Sequence, residues 1–118
     1  MSTLPPNFAQ AVNTILSAME LVEGQLTRRE ARLLVLLAAA PTCQGEVLEI
    51  GTFKGRSTIV LAKAAVLAGQ RRVVAVDPLT SPAVTDPSLH GQSSAWTDLQ
   101  ANLQRAGVEQ VVEFHQSR

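Results

Sequence analysis

Near the start of the chain, apolar residues fall at Phe8, Val12, Ile15, Met19 and Val22. Steps of four, three, four and three put them on one stripe of a helix, with Asn7 able to cap its start and Gly24 ending it. Thr27-Arg28-Arg29-Glu30 reads as a capping box opening a second helix, which runs through Leu33, Leu34, Leu36 and Leu37 to a stop at Pro41. Its apolar face is broad enough to predict deep packing. The period then changes. Glu46 to Ile50 and Arg72 to Asp77 are short, rich in β-branched and apolar residues, and end at Gly51 and Pro78. Their near-continuous apolar character predicts strands buried on both faces. Between them, Ser57 to Ala68 is mostly apolar and of helical length, with Gly69 as its stop. After a loop holding Pro78, Pro82 and Pro87, Ser93 or Ser94 can cap a helix using Trp96, Leu99, Leu103 and Ala106, closed by Gly107. Val111 to His115 is the third strand.

Two helices followed by β-α-β-α-β describe an α/β, Rossmann-like, partial doubly wound parallel sheet, with strands in the order 3-2-1 and right-handed crossovers placing helices on both faces. The chain stops after the third strand, so the second half of such a sheet is expected to be missing. Residues 1–24 are expected to form an N-terminal amphipathic helix and 25–118 the N-terminal half of the sheet domain. An open edge on strand one, around Val47 to Ile50, predicts a homodimer or higher oligomer.

Composition narrows the partners. Among 118 residues, 46% are hydrophobic and 17% charged, and ten basic side chains balance ten acidic ones. That excludes a chain disordered throughout and lacks the basic excess of a nucleic-acid binder. Residues 28 to 72 hold eight basic and three acidic side chains, read as a solvated face around Arg28, Arg29 and Arg32. The lone Cys43 excludes an intramolecular disulfide, and neither a signal peptide nor a membrane-spanning apolar run is present, so the expected location is cytoplasmic. His90 and His115 sit in no spacing that compels a metal site, and no metal is expected.

Ligands of such sheets bind at the carboxyl ends of the strands, which singles out Glu49 to Ser57 and Asp77. Gly51-Thr52-Phe53-Lys54-Gly55-Arg56-Ser57-Thr58 has only three residues between its glycines and Arg56 after the second, so it is not a phosphate-binding P-loop. A dinucleotide site needs a glycine where Thr52 and Phe53 stand, because a side chain there obstructs the diphosphate. What remains is a ligand with a ribose and no phosphate, whose carboxylate meets the helix amino terminus near Ser57. S-adenosylmethionine has that form. Asp77, 26 residues after Gly51, can accept from both ribose hydroxyls, against the alternative of a turn aspartate before Pro78. Glu49 can meet a substrate ammonium, against the alternative of a salt bridge to Lys54 or Arg56.

The runs E-I-G-T-F-K-G-R-S-T, V-V-A-V-D-P, N-L-Q-R-A-G-V and V-V-E-F resemble class I S-adenosylmethionine-dependent methyltransferases, especially their small-molecule O-methyltransferase-like branch, over residues from about 25 to 118. The resemblance implies that Glu49 and Gly51 shape the methionine pocket, that Thr52, Phe53, Gly55 and Ser57 complete the loop, that Asp77 holds the ribose, and that His115 to Arg118 borders the adenine. It implies a methyl acceptor that is a small molecule, with catalytic residues unknown and this chain inactive alone. The alternatives are a nucleotide-dependent oxidoreductase half-domain and a non-catalytic oligomerising module.

Overall fold

The computed structural model describes residues 7–39, 46–52, 54–69, 72–77 and 95–116. Cys43, the Pro41 stop, Phe53, the proline-containing loop, His90 and the Ser93 and Ser94 caps lie outside them. In chain order the elements are α1 (Phe8–Met19), α2 (Arg28–Ala39), β1 (Val47–Ile50), α3 (Arg56–Leu67), β2 (Val73–Asp77), α4 (Ala95–Ala106) and β3 (Val112–Gln116). None of the described helices is long and apolar enough to cross a membrane.

Local sequence accounts for most of the boundaries. The capping box at α2 is reciprocal: the Glu30 amide donates to Thr27 Oγ1 at 3.1 Å and the Thr27 amide to Glu30 Oε1 at 3.0 Å. Asn7 holds the cap position of α1 in the left-handed region, φ 58°, but its side chain makes no capping bond. That helix ends at Met19, earlier than the stripe predicts, and Val22 is buried from the turn that follows. Gly69 and Gly107 leave α3 and α4 with φ of 98° and 74°, a backbone that disfavours other residues.

The three strands are parallel, with β2 between β1 and β3. Val47, Val73 and Val112 share one rung, and Glu49, Ala75 and Phe114 the rung two residues on. That set of residues faces the helices: Val73 closes one cluster with Ile59, Ala62 and Ala65 of α3 and with Leu99 and Leu103 of α4. A second cluster joins Ile15, Leu16 and Met19 of α1 to Ala31 and Val35 of α2 and to Val60 and Ala64 of α3. Each large side chain buried there is worth roughly 1.5–3 kcal/mol relative to exposure. Trp96 on α4 lies against Phe114 on β3, with ring centroids 5.0 Å apart.

Three packing expectations are corrected. The strands are not buried on both faces, for Leu48 and Ile50 are 63% and 81% exposed. Nor do the crossover helices take opposite faces: α3 and α4 meet over the same one. The strand order explains both findings, because successive right-handed crossovers that advance in one direction land on one side of a sheet. The third concerns α2, whose leucines Leu33, Leu36 and Leu37 are exposed while Ala31, Val35, Ala38 and Ala39 are buried. Small residues at the contact let helices approach closely, and here that stripe is the one turned to α1 and α3.

Candidate functional site

The loop between β1 and α3 sits across the carboxyl ends of β1 and β2. Strand pairing runs one residue past β1, the Gly51 amide donating to the Val76 carbonyl at 2.8 Å. Next, the Thr52 amide donates to Asp77 Oδ2 at 2.7 Å, and the Gly55 amide to the Thr52 carbonyl at 2.9 Å. A carboxylate at the tip of β2 therefore pins the loop that leaves β1. Gly55, with φ 94°, begins α3 under α4: a Cβ there would stand 2.9 Å from Leu99 Cδ1. Both conformation and space demand glycine at that position. Gly51, with φ 90°, has no atom of the described residues within 4 Å of where a Cβ would lie.

Glu49 and Asp77 are both buried and lie on the helix-packed face of the sheet. Ser57 Oγ and Thr58 Oγ1, from the first turn of α3, each donate to one oxygen of Glu49. Burial pushes the Glu49 carboxyl above the ordinary carboxylate range, the two hydroxyls oppose that shift, and the Asp77 charge adds to it. The Thr52 hydroxyl oxygen is buried with no hydrogen-bond partner among the described residues. An acid held by neutral hydroxyls beside a second acid favours a cationic or multiply donating ligand.

The structure thus brings together Glu49, Gly51, Thr52, Gly55, Ser57 and Asp77, whereas Phe53 lies outside the described residues. Lys54 and Arg56, considered as salt-bridge partners of Glu49, reach elsewhere: Lys54 Nζ to Glu23 at 2.7 Å, Arg56 to backbone carbonyls. His115 belongs to the other face of the sheet, bonded to Glu113 at 2.9 Å, while Gln116 stands beside Asp77 in the ladder. Among the described residues no three His, Cys, Asp or Glu side chains group as metal ligands.

A family described as a methyltransferase domain matches residues 48–118, taking in the loop and both carboxylates. The chain belongs to this methyltransferase domain family. None of the curated proteins compared with it matches. Among solved structures it is similar to cofactor-bound Rv0187 from MTB, at 31% identity and a TM-score of 0.57 over 90% of this chain and 43% of that one. It is also similar to TomG from Streptomyces achromogenes, an O-methyltransferase of tomaymycin synthesis in complex with SAM, at 28% identity and a TM-score of 0.56 over 90% of this chain and 42% of that one. The chain spans about two fifths of the length of these relatives.

Sequence reasoning missed two participants in this methyltransferase domain. Thr58 shares Glu49 with Ser57, and its signal was a second hydroxyl in the first turn of a helix starting beside an acid. Asn102 donates to the Lys54 carbonyl at 2.9 Å and so braces the loop from α4. Its signal was a polar residue three after Leu99 and one before Leu103, at the border of a buried stripe.

Proposed function

We propose that this methyltransferase domain binds S-adenosylmethionine at the carboxyl ends of β1 and β2, within a longer enzyme that methylates a small molecule. The observation that carries the reading is the pair of buried carboxylates, Glu49 and Asp77, joined by a loop that one of them pins. The site suits such a ligand on three further counts: among the described residues no atom fills the space beside Gly51 and none bonds the buried Thr52 hydroxyl, and the bonds to the Glu49 acid come from neutral hydroxyls. Likeness to an O-methyltransferase solved with SAM supports the cofactor and the acceptor class.

In this reading Asp77 accepts from the ribose hydroxyls while keeping the Thr52 amide. Glu49 takes the amino group, and Gly51 and Thr52 line the cleft. Gly55 and Ser57 set the turn and first helical amides toward the carboxylate, with Phe53 assigned from its place in the motif. Bound there, S-adenosylmethionine supplies a methyl group whose bond to sulfur breaks as the acceptor's nucleophile attacks in line. The contribution of these residues is orientation, which counts for much in such a displacement. We assign acceptor binding and turnover to the longer protein, since the chain spans 43% and 42% of its solved relatives.

The test is calorimetric titration of the 118-residue chain, and of a chain as long as its solved relatives, with S-adenosylmethionine, S-adenosylhomocysteine and a nicotinamide dinucleotide. Binding of both adenosyl ligands and not of the dinucleotide is expected. Binding of the dinucleotide alone would replace this reading with the oxidoreductase one.

A second reading concerns assembly. Within the described residues β1 pairs on one side only, and Leu48 and Ile50 stand exposed on it. We propose that the isolated chain pairs with a second copy along this strand. Light scattering at high concentration is expected to give a dimer or larger species, and a monomer whose β1 amides resist exchange would refute the pairing.

A further inference from the structure

Arg56 is the first residue of α3, where its positive charge meets the positive end of that helix's dipole. The side chain turns back instead. Its Nε donates to the Leu26 carbonyl at 3.0 Å, and Nη1 donates to the carbonyls of Met19 at 3.2 Å and Val22 at 2.7 Å. Met19 is the last residue of α1, so the guanidinium sits at the negative end of one helix while opening another. Gly24 makes room for it: a Cβ there would stand 2.7 Å from Arg56 Cδ and 3.0 Å from Arg56 Cβ. Three further ties bracket the same loop. Lys54 Nζ bonds Glu23 of this turn at 2.7 Å and lies 3.8 Å from Asp98 of α4, and Asn102 holds the Lys54 carbonyl.

Among the described residues, the polar groups that Arg56 reaches all lie before residue 48, outside the segment the family match covers. None belongs to the cleft formed by Glu49, Thr52 and Asp77. We propose that Arg56 is a positioning residue, which fixes the loop from Thr52 to Ser57 by anchoring the start of α3 to the turn after α1, so that affinity for the cofactor depends on residues that never touch it. The inference rests on the cofactor reading for its functional consequence, while the fixing of the loop stands apart from it. A planar fork serves three carbonyls at once, whereas a lysine ammonium at the same place reaches fewer.

The test combines amide hydrogen exchange with titration of S-adenosylhomocysteine in the full chain, comparing wild type, Arg56→Ala and Arg56→Lys. In Arg56→Ala the Thr52 and Gly55 amides are expected to exchange faster while those of Val73 and Ala75 keep wild-type protection. The dissociation constant is expected to rise on the order of 10-fold, with partial recovery in Arg56→Lys. Loss of protection spread evenly over loop and β2, or unchanged exchange at Thr52 and Gly55, would overturn the proposal. Should Arg56→Ala fail to fold, Gly24→Ala keeps every hydrogen-bonding group and displaces the Arg56 stem; the same selective loosening is expected, and its absence refutes. A wild-type chain that binds no adenosyl ligand overturns the cofactor reading, and the exchange contrast still decides the role of Arg56.

Discussion

The two faces of the sheet are made from the same strands, yet they do different work. On one, Val73 and Ala75 are sealed under α3 and α4, and Glu49 and Asp77 are drawn into that dry layer at the strand tips. On the other, Leu48 and Ile50 stand in solvent, and Glu113 sits among exposed polar groups. The carboxyls record the difference. Burial raises the pKa of Glu49. The hydrogen bond from His115, with Arg72 nearby, lowers that of Glu113. Glu49 on β1 and Glu113 on β3 thus differ by which face of the sheet the alternation of each strand assigns them, one a buried acid held by hydroxyls and the other a surface ion pair.

The sharpest way to break this comparison is to hollow the covered face. Leu99→Ala removes a fully buried side chain from under α4 and is expected to lower unfolding free energy by about 2–5 kcal/mol in denaturant titrations. A loss near zero would mean that α4 is not seated on the sheet. Next in size, Asp77→Ala should weaken binding of adenosyl ligands by roughly 1.5–3 kcal/mol in calorimetry. Equal affinity in mutant and wild type would place the ribose elsewhere.

Glu49→Gln sharpens the contrast through pH. The folded carboxyl has a pKa above its unfolded value of 4.5, so the fold holds its proton the more tightly. The resulting stabilisation is complete below 4.5 and disappears as pH rises through the raised pKa. Denaturation midpoints should therefore show the variant gaining on wild type as pH climbs through that range. Relative to wild type, its affinity for the ligand's ammonium should fall over the same interval, since wild-type binding strengthens once Glu49 is ionised while the glutamine stays neutral. A constant difference between the two proteins across pH would remove Glu49 from the titration. Smallest of all, Ile50→Ser on the open face should shift stability by no more than about 0.5 kcal/mol. A large loss there would show that this face is covered in solution.

What could be read in the sequence, and what could not, divides along range. The Thr27 and Glu30 box, the strands and the stops at Gly69 and Gly107 involve neighbours a few residues apart, and the structure reproduces them closely, whereas α1 ends at Met19, short of Gly24. The loop's residue types singled out Glu49 and Asp77 because an acid at a strand tip is conspicuous without any partner in view. Which apolar stripe of α2 turned inward was not legible, because Leu33, Leu36 and Leu37 are as hydrophobic as anything they could have displaced. Nor was the choice of Ser57 and Thr58 over Lys54 and Arg56 as partners of Glu49. Arg56 is engaged by carbonyls at Met19, Val22 and Leu26, an allegiance spanning 30 to 37 residues that no local pattern records.

The pairing of Trp96 with Phe114 has a use of its own. Trp96 is the only tryptophan in the chain and there is no tyrosine, so near-ultraviolet emission comes from a single place. That place is the junction of α4 with β3, where the indole is partly open to water and its ring lies 5.0 Å from the phenyl group. The colour of the emitted light therefore reports whether α4 has docked, without a label. It is a built-in lamp for watching this end of the sheet assemble.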